Sequence, residues 1–250
     1  MIGICNFCKN TYRKREKKYR FCSLTCSSRF NLNGLKQISL PEKSTSLAEF
    51  IGICLGDGSV LKYQVSITLN SSADKEYIPY VIELSNKLFP GISPSLIKKG
   101  KENAVDIRMN SRIVADFLKN MGIVPNAKSI PLWIMNNPKY RRACTRGLFD
   151  TEGSISFKKY LSKKGLHIYK HLNFRNVDIK LMKFVRDNLL ALGAKPTMTL
   201  KRSLYLSNHR SIDLFRQKIG FSNPKLIYRS HVYTINDLEM LKITYKNNLS

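Results

Sequence analysis

The sequence predicts an α+β protein built from one unit used twice, preceded by a small cysteine-rich module. Two stretches about a hundred residues apart both run into an acid followed by glycine: Phe50-Ile51-Gly52-Ile53-Cys54-Leu55-Gly56-Asp57-Gly58 and Thr145-Arg146-Gly147-Leu148-Phe149-Asp150-Thr151-Glu152-Gly153. The same order of strands and helices follows each. Residues also recur: Asn110-Ser111-Arg112, Phe117 and Met121-Gly122-Ile123 return 98 residues later as Asn208-His209-Arg210, Phe215 and Ile219-Gly220-Phe221.

The N-terminal module occupies residues 1–30. Cys5 and Cys8, then thirteen residues, then Cys22 and Cys26 have the paired spacing of a structural Zn²⁺ site. Four thiolates close a tetrahedron, and the metal supplies folding energy that so short a segment cannot draw from a core. Phe21-Cys22-Ser23-Leu24-Thr25-Cys26 resembles one half of a treble-clef zinc module. Between the pairs, Tyr12 to Arg20 is rich in basic and aromatic side chains suited to phosphate and base contact. Cys54 and Cys144 read instead as small buried thiols. Residues 31–46, with Gly34 and Pro41, read as a linker.

The first half is expected over 47–136 and the second over 137–230, with 231–250 left as a C-terminal helix or tail. Ser46-Leu47-Ala48-Glu49 has the form of a capping box, so the first motif helix should start near Leu47. Asn137-Pro138 announces the second, as a cap followed by proline at the first helical position. Gly52 and Gly147 leave flat patches where the two helices can approach, bringing Asp57 and Glu152 to one end. An acid in a last helical turn faces the negative end of the dipole and calls for a nearby cation.

Residues 64–70 alternate strictly, placing Gln64, Ser66, Thr68 and Asn70 on one face. A helix is expected over 75–88, strands near 93–99 and 104–109, and a helix from Ser111. In the second half a hairpin over 154–158 and 167–175 precedes a helix at 177–192, strands near 196–201 and 204–207, and a helix from His209. A closing helix fits 236–245.

The chain carries 43 Lys+Arg against 17 Asp+Glu, net +26, and an extended polyanion is the natural partner for such a charge. A hydrophobic content of 43% excludes a disordered basic tail. There is no apolar run of spanning length and no signal peptide, so an intracellular protein without a membrane partner is expected.

Together, the paired motifs resemble the LAGLIDADG family, to which many homing endonucleases belong. Gly52 and Gly147 match its first glycine, Asp57 and Glu152 its metal-binding acid, and Gly58 and Gly153 its closing glycine; only the second copy keeps the earlier acid, as Asp150. The resemblance implies a duplicated αββαββα fold with pseudo-twofold symmetry and saddle-shaped DNA-binding sheets, acting as a monomer. It further implies a site-specific endonuclease on double-stranded DNA, with Mg²⁺ held by Asp57 and Glu152. Lys128, before Ile130-Pro131, and Lys225 match the family's pocket lysines. Candidate DNA contacts on the strand faces are Gln64, Ser66, Thr68, Asn70, Arg108, Lys158, His171, Asn173, Arg175, Thr199 and Lys201. Within the same family, an intron maturase acting on RNA or a regulator that binds DNA without cutting are the alternatives.

Overall fold

The structure is a computed structural model that describes residues 2–14, 16, 18–33, 38–100, 103–124, 128–163, 165–199 and 202–240; the side chains of 31–33 and 162 lie outside the description. The chain divides into two compact units, Met1–Ile38 and Ser39–Ser250. Among the described residues no helix is long and apolar enough to cross a membrane.

In the first unit β1 (Ile2–Ile4) pairs antiparallel with β2 (Thr11–Arg13), and α1 (Leu24–Asn33) follows. The turn between the strands closes through Lys9 N–H donating to the Cys5 carbonyl at 3.0 Å, with Lys9 in the left-handed region at φ 63°. Ser23 caps α1 by accepting the Cys26 N–H at 3.1 Å. These two local devices set both cysteine pairs on tight turns.

The second unit opens with α2 (Thr45–Asp57), β3 (Gly58–Val60), β4 (Val65–Asn70), α3 (Tyr77–Leu88), β5 (Ser95–Lys98), β6 (Ala104–Met109) and α4 (Arg112–Asn120). The short α5 (Leu132–Met135) leads into the same series again. This comprises α6 (Pro138–Glu152), β7 (Gly153–Ser162), β8 (Gly165–Arg175), α7 (Ile179–Ala191), β9 (Thr197–Thr199), β10 (Ser203–Leu206) and α8 (His209–Lys218), followed by α9 (Pro224–Ser230). Each half is thus αββαββα, and each builds a four-stranded antiparallel sheet, ordered β3-β4-β6-β5 and β7-β8-β10-β9. The repeat extends to the helix ends. Gly122 and Gly220 follow α4 and α8 with φ of +87° and +72°, the left-handed position that helix C-termini give to glycine.

The strands alternate as half-covered sheets should. In β4, Val65, Ile67 and Leu69 are buried beneath half-buried Ser66 and Thr68. In β8, Ile168, Lys170, Leu172 and Phe174 point inward, while Tyr169 and Arg175 are exposed and His171 and Asn173 half-buried. All nine residues from Leu47 to Leu55 of α2 are buried, so this helix is covered on every side by its partner helix and the sheet.

The structure corrects three sequence expectations. Helix α2 starts at Thr45, because Ser44 and not Ser46 accepts the capping N–H, from Leu47 at 3.2 Å. Glu49 is unavailable for a capping box: it is buried, paired with Arg146, and accepts the Tyr80 hydroxyl at 2.6 Å. The β7–β8 hairpin is longer than expected, at 10 and 11 residues, against 3 and 6 for β3 and β4. Its added length rests on a separate apolar cluster of Ile168, Val232 and Leu238, with Phe157 and Ile235 against it. Residues 235–240 are helical, while the remainder of the expected closing helix lies outside the described residues.

Candidate active site

The helices α2 and α6 touch backbone to backbone. A Cβ on Gly52 would lie 2.2 Å from the Cys144 carbonyl oxygen, and one on Gly147 would lie 2.2 Å from the Glu49 carbonyl oxygen. Both pairs are related by the displacement that takes Asp57 to Glu152, so the contact is reciprocal, as a pseudo-twofold demands. Gly56 faces its own counterpart, Thr151, whose Oγ1 would be 2.1 Å from an added Cβ. The axis therefore passes between them, next to both acids. The same Cβ would lie 3.2 Å from Glu152 Cγ.

Asp57 and Glu152 are the last residues of α2 and α6 and are half-buried. Burial, then the charges of Glu152 and Asp74, push the Asp57 carboxyl up to about 6. Burial also raises Glu152, opposed by Lys128 and by Asn176, whose Nδ2 donates to Glu152 Oε1 at 2.9 Å. Two acids that each resist ionisation at one place make a site that a divalent cation would relieve.

The cation demanded by the helix dipole is Lys128. Its ammonium donates to the carbonyls of Cys54, Leu55 and Gly56 at 3.2, 2.9 and 3.1 Å, closing the end of α2. Burial draws its pKa down, while Cys54, Glu152, Asp57 and Asp178 oppose that shift. Lys128→Met should take the ammonium from all three carbonyls, leaving the Cys54 oxygen only the Gly58 N–H, and cost about 1–3 kcal/mol in chemical denaturation. A change within error would mean the contact carries no stability.

Lys225 is placed differently. Its ammonium pairs with Asp74 at 2.7 Å and lies within the electrostatic reach of Asp57. At the end of α6 the capping place is taken by Asn223, whose Nδ2 donates to the Asp150 carbonyl at 3.1 Å. Asn223 stands to Glu152 as Lys128 stands to Asp57 in sequence displacement, so Asn223 is the positional counterpart of Lys128. Asp150 is buried beneath them and accepts the Ser222 and Asn223 N–H groups at 3.0 and 3.1 Å, although burial pushes its carboxyl up to about 8.

On the first sheet Ser66 is paired with Arg108 and Thr68 with Asp106. Asp106 organises this face: Thr68 Oγ1 donates to it at 2.8 Å, Lys99 pairs with it at 3.1 Å, and Arg108 at 2.8 Å. Against the cost of its burial, hydrogen bonds from Arg108, Thr68 and Lys99 hold its carboxyl below the usual range. Gln64 is half-buried and lies just before β4, which begins at Val65. Asn70 is exposed, but its Oδ1 accepts the Ser72 and Ala73 N–H groups at 3.0 and 2.8 Å, so it shapes a turn.

On the second sheet His171 meets Ser207 Oγ at 3.2 Å, Asn173 donates to Ser156 Oγ at 3.0 Å, and Thr199 donates to the Ser203 carbonyl at 3.3 Å. Burial, and then Lys158, keep the His171 pKa low. Lys158 and Arg175 are exposed, and Lys201 lies outside the described residues. Sequence reasoning missed Asp106 and Lys99, and it missed Tyr160 and Tyr169, stacked at 4.4 Å on the outer hairpin. The Asp106 signal was present: it shares the β6 face with Arg108, where an acid facing a polyanion needs a local cation.

In the N-terminal unit the four sulfurs of Cys5, Cys8, Cys22 and Cys26 lie within 4.8 Å of one another, with Cys8–Cys22 at 3.5 Å and Cys22–Cys26 at 3.4 Å. Donors of this kind and spacing fit a tetrahedral Zn²⁺.

No family model matches the chain. Two proteins of Methanocaldococcus jannaschii are each 28% identical to it. One is the DNA-directed RNA polymerase subunit Rpo1C, over 177 residues, 70% of this chain and 19% of that protein. The other is the uncharacterized protein MJ0314, over 165 residues, 65% of this chain and 59% of that protein. The chain spans less than two thirds of either. Among solved structures, I-DmoI in complex with DNA and Ca has a TM-score of 0.51 at 20% identity, covering 79% of this chain and 97% of that chain. The homing endonuclease I-DmoI in its mesophilic variants scores 0.50 at 21%, covering 70% and 95%. The N-terminal LAGLIDADG domain of WhiA scores 0.50 at 14%, covering 81% and 90%. This chain has the LAGLIDADG fold. In LAGLIDADG terms, α2 and α6 are the motif helices, and the acids end them beside the pseudo-twofold.

Proposed function

We propose that the protein is a site-specific, metal-dependent DNA endonuclease that cuts both strands of a long, imperfectly palindromic duplex as a single chain. The observation that carries this is the meeting of two acid-bearing helix ends at the reciprocal contact of α2 and α6, each leading into a polar-faced sheet. Asp57 and Glu152 would hold Mg²⁺, a hard ion suited to carboxylates. Bound there, the ion would lower the pKa of an attacking water and offset charge on the leaving oxygen. The protein's own part is positioning. Lys128 fixes the end of α2 and keeps positive charge beside both acids, and Asn176 orients Glu152. Lys225 balances Asp74 next to Asp57. Arg108, Lys99, Ser66, Thr68, Lys158, His171 and Arg175 offer donors and cations to base edges and phosphates.

The testing experiment is a plasmid library of randomised long duplex sites, incubated with the protein in Mg²⁺ or EDTA. Metal-dependent double-strand cutting supports the proposal and reveals the site. Retention of chosen sites without cutting would replace it with a non-cleaving DNA-binding role, and preference for structured intron RNA would replace it with a maturase.

A pH dependence follows from Asp57. Its carboxyl is protonated below about 6, and a proton there competes with the metal. At subsaturating Mg²⁺ the initial cutting rate should fall up to about tenfold per pH unit below that value and level off above it. Raising Mg²⁺ should move the midpoint to lower pH, and an immovable midpoint would point to another group.

The four cysteines would hold structural Zn²⁺. Chelation should unfold the N-terminal unit and leave the larger one intact, giving loss of bound metal with retained main melting. Unchanged proteolytic resistance of residues 1–38 after full removal would rule this out.

A further inference from the structure

We propose that the cysteine unit carries a nucleic-acid site of its own, a basic pocket that takes the sugar–phosphate backbone of duplex DNA. The inference rests on the DNA-binding reading above and adds a contact outside the two sheets.

Residues 1–38 hold nine Lys and Arg against Glu16 alone, a far greater excess than in the rest of the chain. Glu16 is taken by Lys18 at 2.9 Å. Arg13, Arg20 and Arg29 have no acidic partner among the described residues. A closed four-thiolate zinc site would carry two negative charges, which leaves most of this excess unbalanced. Among the described residues, Lys9 donates to the Asn6 carbonyl at 3.2 Å within the unit, whereas Arg13, Arg20 and Arg29 make no side-chain hydrogen bond there. Its turns are closed by backbone bonds and by the Ser23 and Tyr12 hydroxyls, and the Phe21 and Phe30 rings pack at 5.1 Å. Like charges crowded on so small a body cost self-repulsion, which an anionic partner removes.

The charges are also arranged. A cavity of about 560 Å³ is lined by Arg13, Lys18 and Arg20 together with Tyr12, Tyr19 and Phe21. The Tyr12 hydroxyl donates to the Tyr19 carbonyl at 2.6 Å, tying β2 to the loop and leaving the Tyr19 ring 45% exposed. Guanidinium groups grip phosphate in a bidentate manner. One exposed ring among three cations suits a backbone with its sugar. Platforms for single strands need successive aromatic faces, one per base.

The test compares the zinc-loaded full chain with its Arg13→Gln/Arg20→Gln variant. The probes are a mixed-sequence duplex DNA and a single-stranded RNA of equal length, titrated across a range of salt. The variant should keep its zinc, bind duplex on the order of tenfold more weakly, and lose about 1.8 from the log–log salt slope, or two phosphates. Unchanged affinity and slope with zinc retained would overturn the site, as would a larger loss on RNA than on duplex. A wild-type chain that binds no duplex would sink this inference and the endonuclease reading together. A wild type that binds, with Arg108→Gln weakening it but the pocket variant not, would sink this inference alone.

Discussion

Gly52→Val is expected to prevent the larger unit from assembling. The first atom of any side chain at this position would stand 2.2 Å from the Cys144 carbonyl oxygen and 3.1 Å from the Leu148 nitrogen. Both are backbone atoms on the buried face of α6, so relief requires α2 and α6 to separate. Overpacking in a well-filled core costs about 1–3 kcal/mol where side chains can yield. Here they cannot, and a loss above about 4 kcal/mol is expected, a large share of a typical domain's stability. Even Gly52→Ala should lower the denaturation midpoint clearly, and Gly147→Ala should match it by the reciprocity of the contact. A Gly52→Val protein that melts like the wild type would mean the helices do not meet here.

Asp57→Asn is expected to abolish cutting, by on the order of a thousandfold or more, while leaving DNA affinity nearly unchanged. A lost metal ligand removes several kcal/mol of transition-state charge stabilisation. The fold itself should not suffer. Asp57 titrates near 6 when folded, above its ordinary value of 3.8, so its contribution to stability is greatest below the ordinary value. That contribution is lost as pH rises through 6. Above that pH the ionised carboxylate is a strain, and Asn removes it. The metal-free variant should therefore melt at the same temperature as the wild type or higher at neutral pH. Activity lost together with folding would show Asp57 to be structural; full activity in a well-folded variant would remove it from the chemistry.

The repeat was legible because strand alternation and a fixed residue offset are local signals that survive divergence. Strand β6 was expected where it lies, and α4 and α8 start at the expected residues or within one of them. What failed depends on distant residues. Strand β3 has three residues and opens on glycine, too short to show a period. The β7–β8 hairpin looked shorter because lysines interrupt its pattern, and its support comes from Val232 and Leu238, more than sixty residues downstream of Ile168. Ser46 and Glu49 spell a cap, yet burial of Glu49 against Arg146 outweighs it. The candidate site divides along the same line. The helix-end acids and Lys128 stand in readable motifs, whereas Asn223 shares the offset of Lys128 but not its charge, so its place at the opposite helix end shows only once the chain is folded.

The reciprocal contact of α2 and α6 says something about inheritance. Because main-chain atoms do the touching at this seam, the letters both halves must share are little more than a glycine on each helix; the link from Glu49 to Arg146 has no counterpart at the exchanged positions, Cys144 and Ile51. The other letters of each motif need only suit the packing of their own half. Gly-Ile-Cys-Leu-Gly-Asp and Gly-Leu-Phe-Asp-Thr-Glu share almost nothing but their first and last kinds of residue. A joint with so short a specification can persist long after the words around it have changed.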